Sequence, residues 1–251
     1  MDNGKRRRVR IEQGGKRIRT YLGGELVADT TRPLLVWEKP YYPVYYFPES
    51  DVHLDLLTPT GETRRSPSRG DATLYTVATA ASKAEGAAYR HLDSPVEELR
   101  DHVAFSWDAM GSWFEEDEEV YVHARDPHTR VDVLPSSRHV EVVIDGVKVA
   151  DSRSGRFLYE TGLPARYYLP KTDVRMDLLE PTNLHTQCPY KGVASYYDVV
   201  IGEERHENAV WWYPFPAKES SDIAGLVSFY NEKVDIYIDG ELETRPKTIF
   251  S

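Results

Sequence analysis

The chain repeats itself. A constant offset of 122 aligns Gly24–Tyr75 with Gly146–Tyr197 without a gap. Val27-Ala28-Asp29 returns as Val149-Ala150-Asp151, and Glu38 as Glu160. Tyr45-Tyr46, Pro48 and Asp51-Val52 return as Tyr167-Tyr168, Pro170 and Asp173-Val174; Asp55-Leu56-Leu57 and Pro59-Thr60 return as Asp177-Leu178-Leu179 and Pro181-Thr182. Register held over this distance means one domain traced twice, which decides the fold before any single element does. Beyond Tyr75 the register drifts: Ala88 and Pro95 match Ala209 and Pro216, and Phe105 matches Phe229. The expected domains are 1–128, a diverged first copy with a basic N-terminal extension, and 136–245, the second copy. Asp126-Pro127, Pro135 and two serines mark Arg125–Ser137 as the linker.

Each copy reads as strands. Lys16–Asp29 and Arg138–Asp151 alternate polar and apolar residues around Gly23-Gly24 and Asp145-Gly146, pairs that supply the positive φ of a tight hairpin turn. Strands are expected at 34–38, 44–47, 72–79 and 86–91, and in the second copy at 157–160, 166–169, 193–201 and 208–213. Val120–Val122 and Val234–Ile238 close the copies. Helix is sparse. Ser94-Pro95-Val96-Glu97 matches a capping box and predicts a short helix over Pro95–His102. Thr172 caps one further turn in which Val174 and Leu178 share a face. The 17 tyrosines and five tryptophans suit pleated surfaces. The expectation is a mainly β protein of two tandem barrel-like or tent-like domains, each with a short helix.

Composition narrows the function. The formal net charge of −10 argues against a general nucleic-acid binder, whose affinity rests on neutralising phosphates. The one basic stretch, Lys5–Arg19, reads as a solvated tail leading into a strand with outward arginines. No apolar run is long enough to span a membrane, and no apolar segment follows the N-terminal arginines as a secretory signal requires. Cys188 is the single cysteine, so no intramolecular disulfide forms, and a cytoplasmic location is expected. The acidic run Glu115–Glu119 reads as a solvated loop.

In the second copy His185-Thr186-Gln187-Cys188-Pro189-Tyr190-Lys191-Gly192 precedes Ala194-Ser195-Tyr196-Tyr197, and Ala209-Val210-Trp211-Trp212-Tyr213-Pro214-Phe215-Pro216 follows. With Val149-Ala150-Asp151-Ser152, these strings resemble the bacterial domain-of-unknown-function family 427. The first half, with Val27-Ala28-Asp29-Thr30 and Tyr46-Phe47-Pro48, is similar to the diverged copy of two-domain actinobacterial members. The resemblance implies a small, mostly β domain of no established activity. A nucleotidyltransferase label sometimes attached to the family finds no support in these residues: there is no glycine-rich phosphate loop and no aspartate pair for two-metal chemistry.

Under the offset, His185, Cys188, Tyr190, Lys191 and Tyr196 correspond to Thr63, Ser66, Ser68, Arg69 and Leu74, while Pro67 and Gly70 persist. The bend is kept and its reactive groups are replaced, which points to a site in the second copy. The leading expectation is a pocket for a small molecule formed by Glu160, Tyr190, Lys191, Tyr197 and Trp212, with Cys188 nearby. One of Trp211 and Trp212 packs in the core while its neighbour floors the pocket, and Lys191 needs a partner such as Glu160. Because Glu38 and Glu160 recur, a structural ion pair or turn role also suits them, and Asp29 and Asp151 read as capping or turn residues. The competing reading is an enzyme with Cys188 as nucleophile, His185 as base and Lys191 steadying an oxyanion. It requires a turn between His185 and Cys188, since residues three apart on a strand face opposite ways; the alternative is a buried, packed thiol. A third reading is an interaction module. His185, Cys188 and His206 lack the paired spacing of a zinc site, so no metal and no cofactor is implied. The expected partner is an unidentified small molecule, with neither nucleic acid nor membrane; the oligomeric state is left open.

Overall fold

The computed structural model describes residues 9–248; the basic residues Lys5–Arg8 lie outside them. Contacts divide the chain between Asp126 and Pro127 into two units. The first contains β1 (Arg10–Gln13), β2 (Ile18–Leu22), β3 (Glu25–Thr30), β4 (Leu34–Trp37), β5 (Val44–Pro48), β6 (Leu57–Arg64), β7 (Ala72–Ala78), β8 (Lys83–Arg90), β9 (His102–Phe105), β10 (Ser112–Glu115) and β11 (Glu118–Glu119). The second contains β12 (Val131–Ser136), β13 (Val140–Ile144), β14 (Val147–Ser152), β15 (Gly155–Glu160), β16 (Arg166–Leu169), β17 (Leu179–Cys188), β18 (Gly192–Ile201), β19 (Glu204–Trp212), β20 (Val227–Phe229), β21 (Asp235–Ile238) and β22 (Glu241–Leu242).

Every strand has its counterpart eleven strands later. The large sheets run β1-β4-β5-β9-β8-β7-β6 and β12-β15-β16-β20-β19-β18-β17, and the small sheets β11-β10-β2-β3 and β22-β21-β13-β14. Even the irregularities repeat: ladder shifts fall at Thr20/Tyr21 and Val142/Val143, at Pro59/Thr63 and Pro181/His185, and at Tyr75/Val77 and Tyr197/Val199. The first hairpin turns on Gly23 and Gly24 (φ 59° and 82°), its counterpart on Asp145 and Gly146 (φ 50° and 77°), the left-handed pair that a two-residue turn requires.

Alternation along the strands gives each large sheet two apolar faces. One packs on the small sheet, enclosing Ile18, Val27, Phe47, Phe105 and Trp113 in the first domain and Val140, Val149, Leu169, Val210 and Phe229 in the second. The outer face carries a smaller cluster, Tyr46, Tyr89 and Leu99 or Tyr168, Trp211, Tyr213 and Ile223. Neighbouring tyrosines therefore part company: Tyr45 joins the inner core and Tyr46 the outer one.

The structure corrects several expectations. The large and small sheets stay open, so neither domain is a closed barrel. The expected linker holds β12, paired with β15 from Val131↔Glu160 to Ser136↔Gly155; Val131 and Val133 pack on the outer cluster and override the loop-like prolines and serines. The expected helix over Pro95–His102 shrinks to a 3-10 turn at Glu97–Leu99. Buried Leu99 anchors that turn, and the chain must enter β9 by His102. Thr172 caps nothing: Pro170 and Arg175 precede two separate 3-10 turns, Lys171–Asp173 and Met176–Leu178, with Val174 extended between them and bridged to Ala150. Val120–Val122 is not a strand; the counterpart of β21 is β10, which ends on Glu115 at the start of the acidic run, and Glu118–Glu119 of that run form β11. Glu115 there is buried and accepts from Tyr45 Oη and Lys16 Nζ, each at 2.5 Å. Ladder register also pairs Ala88 with Phe105 and Val210 with Phe229, so the counterpart of Ala88 is Val210 rather than Ala209. The offset of 122 thus survives to the end of β8.

Candidate functional site

The bend of the second domain comes after Cys188, not before it. β17 stays extended through Cys188, with His185↔Ser195, Thr186↔Ala194, Gln187↔Val193 and Cys188↔Gly192 in register. His185 therefore lies on one face, its Nδ1 3.2 Å from Ser195 Oγ. Thr186 lies on the other, its Oγ1 2.7 Å from Tyr196 Oη, and Cys188 shares that face by alternation. The strand separates the expected nucleophile from its expected base. Pro189 and Tyr190 form the turn, closed by Lys191 N–H donating to Cys188 O at 3.3 Å, while Tyr190 O accepts from Ser220 Oγ at 3.2 Å.

Lys191 and Glu160 form an ion pair, 12% and 8% exposed. The first domain builds the same bridge with Arg69 and Glu38 at 3.1 Å, where Glu38 also accepts from Tyr46 Oη (2.6 Å) and Tyr89 Oη (2.8 Å). In the second domain Trp211 replaces Tyr89 and its Nε1–H donates to Tyr168 Oη at 2.9 Å. A carboxylate–cation bridge under the outer aromatic cluster is thus common to both copies. Burial, with the nearby Tyr168, Cys188, Tyr196 and Glu160, pushes the Tyr213 hydroxyl far above its ordinary range, so it stays protonated. Its counterpart His91 is 1% exposed. Burial first, then Arg69, lowers the His91 pKa; Nδ1 meets Gly70 O at 3.0 Å and Nε2 has no hydrogen-bond partner among the described residues.

Tyr197 and Trp212 belong elsewhere. They pack against the inner core, stacked at 6.1 Å between centroids. Lys171 Nζ lies 3.5 Å from the Trp212 centroid and donates to Tyr197 Oη at 3.1 Å. The five residues expected to share a pocket divide between the two faces of one sheet. Trp211 is the buried tryptophan of the pair, and it lies in the outer cluster.

The other polar candidates are satisfied locally. Asp29 accepts from Arg17, which holds its carboxyl below the usual range. Asp151 accepts from His139 at 2.7 Å and from Lys148 at 2.9 Å, so both aspartates are cross-strand acceptors rather than caps. His139, Glu141 and Asp151 cluster closely enough to hold a metal ion, but Lys148 already pairs with both carboxylates. His206 meets Asp145 at 2.6 Å.

A hollow of about 240 Å³ opens in the first domain, and the sequence reading missed it. It is lined by aromatic rings, among them Tyr42, Tyr89, Trp107 and Trp113, with Val44 and Asp108 on its wall and Glu38, Lys39 and Arg64 around it. Trp107 stacks flat on Trp113 at 4.5 Å and Tyr42 on His123 at 3.9 Å. The second domain explains the space. At the position of Val44 stands Arg166, whose guanidinium donates to both oxygens of Glu232 at 2.7 Å and to Asn231 Oδ1 at 2.8 Å. That guanidinium also lies 5.5 Å from the Trp211 centroid and 5.9 Å from Tyr230. Matching turns, Ala109 N–H to Ser106 O and Lys233 N–H to Tyr230 O, equate Ser106, Trp107 and Asp108 with Tyr230, Asn231 and Glu232. The arginine and the groups it touches map onto residues lining the hollow. The contrast Val44/Arg166 was open to the alignment and would have marked this place. A second, wider groove is lined by Gln13, Arg32, Glu49, Glu98 and His102; Arg32 is bonded there to Asp51 and Glu49 to Arg90.

No helix in the described residues is long and apolar enough to cross a membrane. No curated protein matches the chain. The sequence profile of the domain of unknown function DUF427 matches twice, over residues 10–116 and 132–240, which are the two sheet pairs described above. The chain is therefore a tandem, two-copy member of the DUF427 family.

Proposed function

We propose that the protein binds a small organic molecule in the hollow of the first domain. The observation that carries the reading is the exchange of Arg166 for Val44: a side chain that fills and neutralises its place in one copy is truncated in the other, while an aromatic wall and a carboxylate persist as Tyr89 and Asp108 and Trp107 is added where the second domain has Asn231. Aromatic walls with a few fixed polar groups are the usual make-up of such sites. The volume lies below the range of drug-sized pockets, roughly 300–1,000 Å³, so the ligand is about one ring system in size.

The binding set first expected in the second domain is not favoured. Glu160 and Lys191 satisfy each other, and Tyr197 and Trp212 lie on the opposite face under Lys171. The cysteine-enzyme reading loses its base to the far side of β17.

The test is a metabolite-library screen followed by titration of the hits against Val44→Arg and Trp107→Ala variants of the full chain. Hits that bind the parent should weaken at least about tenfold, or ~1.4 kcal/mol, in both variants. Hits that bind all three proteins alike would place the site elsewhere.

A further inference from the structure

We propose that the hollow takes an organic cation, a planar amidinium or guanidinium or an ammonium group on an apolar body, with Asp108 as its counter-ion. This rests on the hollow being a ligand site, and goes further by naming what enters it.

The protein carries its own example of the complex. In the second domain a guanidinium sits at this place, held on one side by the carboxylate of Glu232 and set beside the rings of Trp211 and Tyr230. It is buried, with Arg166 8% and Glu232 0% exposed. Planar cations are stabilised by this combination: two parallel charge-assisted hydrogen bonds to a carboxylate, and the negative face of an aromatic ring. In the first domain the carboxylate is kept, as Asp108, and an aromatic ring is kept, as Tyr89. Three more rings are added where the second domain has smaller or polar groups: Trp107 stands at the position of Asn231, Trp113 at that of Ile236 and Tyr42 at that of Pro164. Val44 supplies no cation to Asp108, and the guanidinium at the Tyr89 ring is that of Arg64.

The charges already present fit this assignment. Glu38 is spent on Arg69, Tyr46 and Tyr89. Arg64 approaches from β6 and lies 4.1 Å from the Tyr89 centroid, but among the described residues it makes no ion pair with Asp108. Asp108 has no hydrogen-bond or ion-pair partner among the described residues. Lys39 and Arg64 would instead oppose a bare cation at the rim, so the favoured ligand carries its charge at the Asp108 end and an uncharged or anionic group toward Arg64.

Three probes of one shape separate the possibilities: benzamidinium, neutral benzamide and benzoate, titrated calorimetrically into the full chain and into Asp108→Asn and Val44→Arg variants. Asp108 is exposed, so its variant keeps the fold even if Val44→Arg does not. The expected result is binding of benzamidinium at one site, at least about tenfold tighter than benzamide or benzoate, weakened by a similar factor in Asp108→Asn and abolished in Val44→Arg. Benzamide or benzoate binding as well as benzamidinium, or benzamidinium binding unchanged in Asp108→Asn, overturns the cation assignment; if Val44→Arg still blocks that binding, the hollow remains the ligand site. If benzamidinium fails to bind at millimolar concentration the cation assignment falls, and if library hits also ignore Val44→Arg and Trp107→Ala the site itself falls with it.

Discussion

Lys171 places its ammonium 3.5 Å from the centroid of Trp212, where the first domain joins Glu49 to Arg90 by an ion pair of 2.6 Å. Under the offset, Glu49 becomes Lys171 and Arg90 becomes Trp212. One copy holds the end of the large sheet with opposite charges, the other with a cation on an aromatic face. The contact persists while its chemistry is exchanged.

That exchange is testable as a swap. Trp212→Arg alone puts a second cation beside Lys171 and should destabilise the protein by about 1 kcal/mol or more, through lost stacking and cation–π attraction. Lys171→Glu in the same chain rebuilds the pair of the first domain and should recover part of that loss. A double-mutant cycle by chemical denaturation measures the coupling; additive effects would contradict a direct contact.

In the second domain Arg166 and Glu232 are both buried. Burial pushes the Glu232 carboxyl up, but the bonds from Arg166 and Thr248 outweigh it and leave the pKa below its ordinary value. Arg166→Ala therefore strands a buried carboxylate at a cost of about 3–5 kcal/mol. Because the lost group is itself a small cation, millimolar guanidinium should raise the melting temperature of Arg166→Ala by more than that of the parent. An equal response of the two proteins would count against a guanidinium-shaped space.

Cys188 and His185 face opposite sides of β17. Alkylation of Cys188, followed against pH by mass spectrometry, should give the same profile in the parent and in His185→Ala. A slower or shifted profile in the variant would revive the catalytic pair.

His91 makes the first domain acid-sensitive. Its folded pKa lies below the unfolded value of about 6.5, so as pH falls the folded state binds fewer protons than the unfolded state. Its contribution is complete above about pH 6.5 and is lost as pH drops below that value toward the folded pKa. His102, also lowered chiefly by burial, acts in the same direction. His91→Phe should flatten the fall in melting temperature between pH 7 and pH 5 without removing it, the remainder belonging to His102. Parallel curves for parent and variant would show that the folded His91 titrates normally.

The repeat was legible because it is a matter of register, and so was the family. The Glu160–Lys191 partnership followed from the rule that a buried ammonium needs a counter-charge. What misled was local chemistry read without its ladder. Pro135 and its serines suggested a linker, yet Val131 and Val133 pay for a strand by burying one face. Ser94-Pro95 looked like a helix start, but burial of Leu99 and the entry of β9 leave room for one turn only. The cluster from His185 to Lys191 is conspicuous in the sequence because its groups are reactive. The hollow has no signature in the sequence because it is marked by a loss, Val44 for Arg166, and a missing side chain carries no motif.

The most direct measurement is a crystal structure of the chain with a bound library hit. The account predicts density in the first domain against Trp107, with a polar end at Asp108 and an edge beside Val44. Density beside Cys188 and Lys191 instead, with the space next to Val44 filled only by solvent, would contradict it.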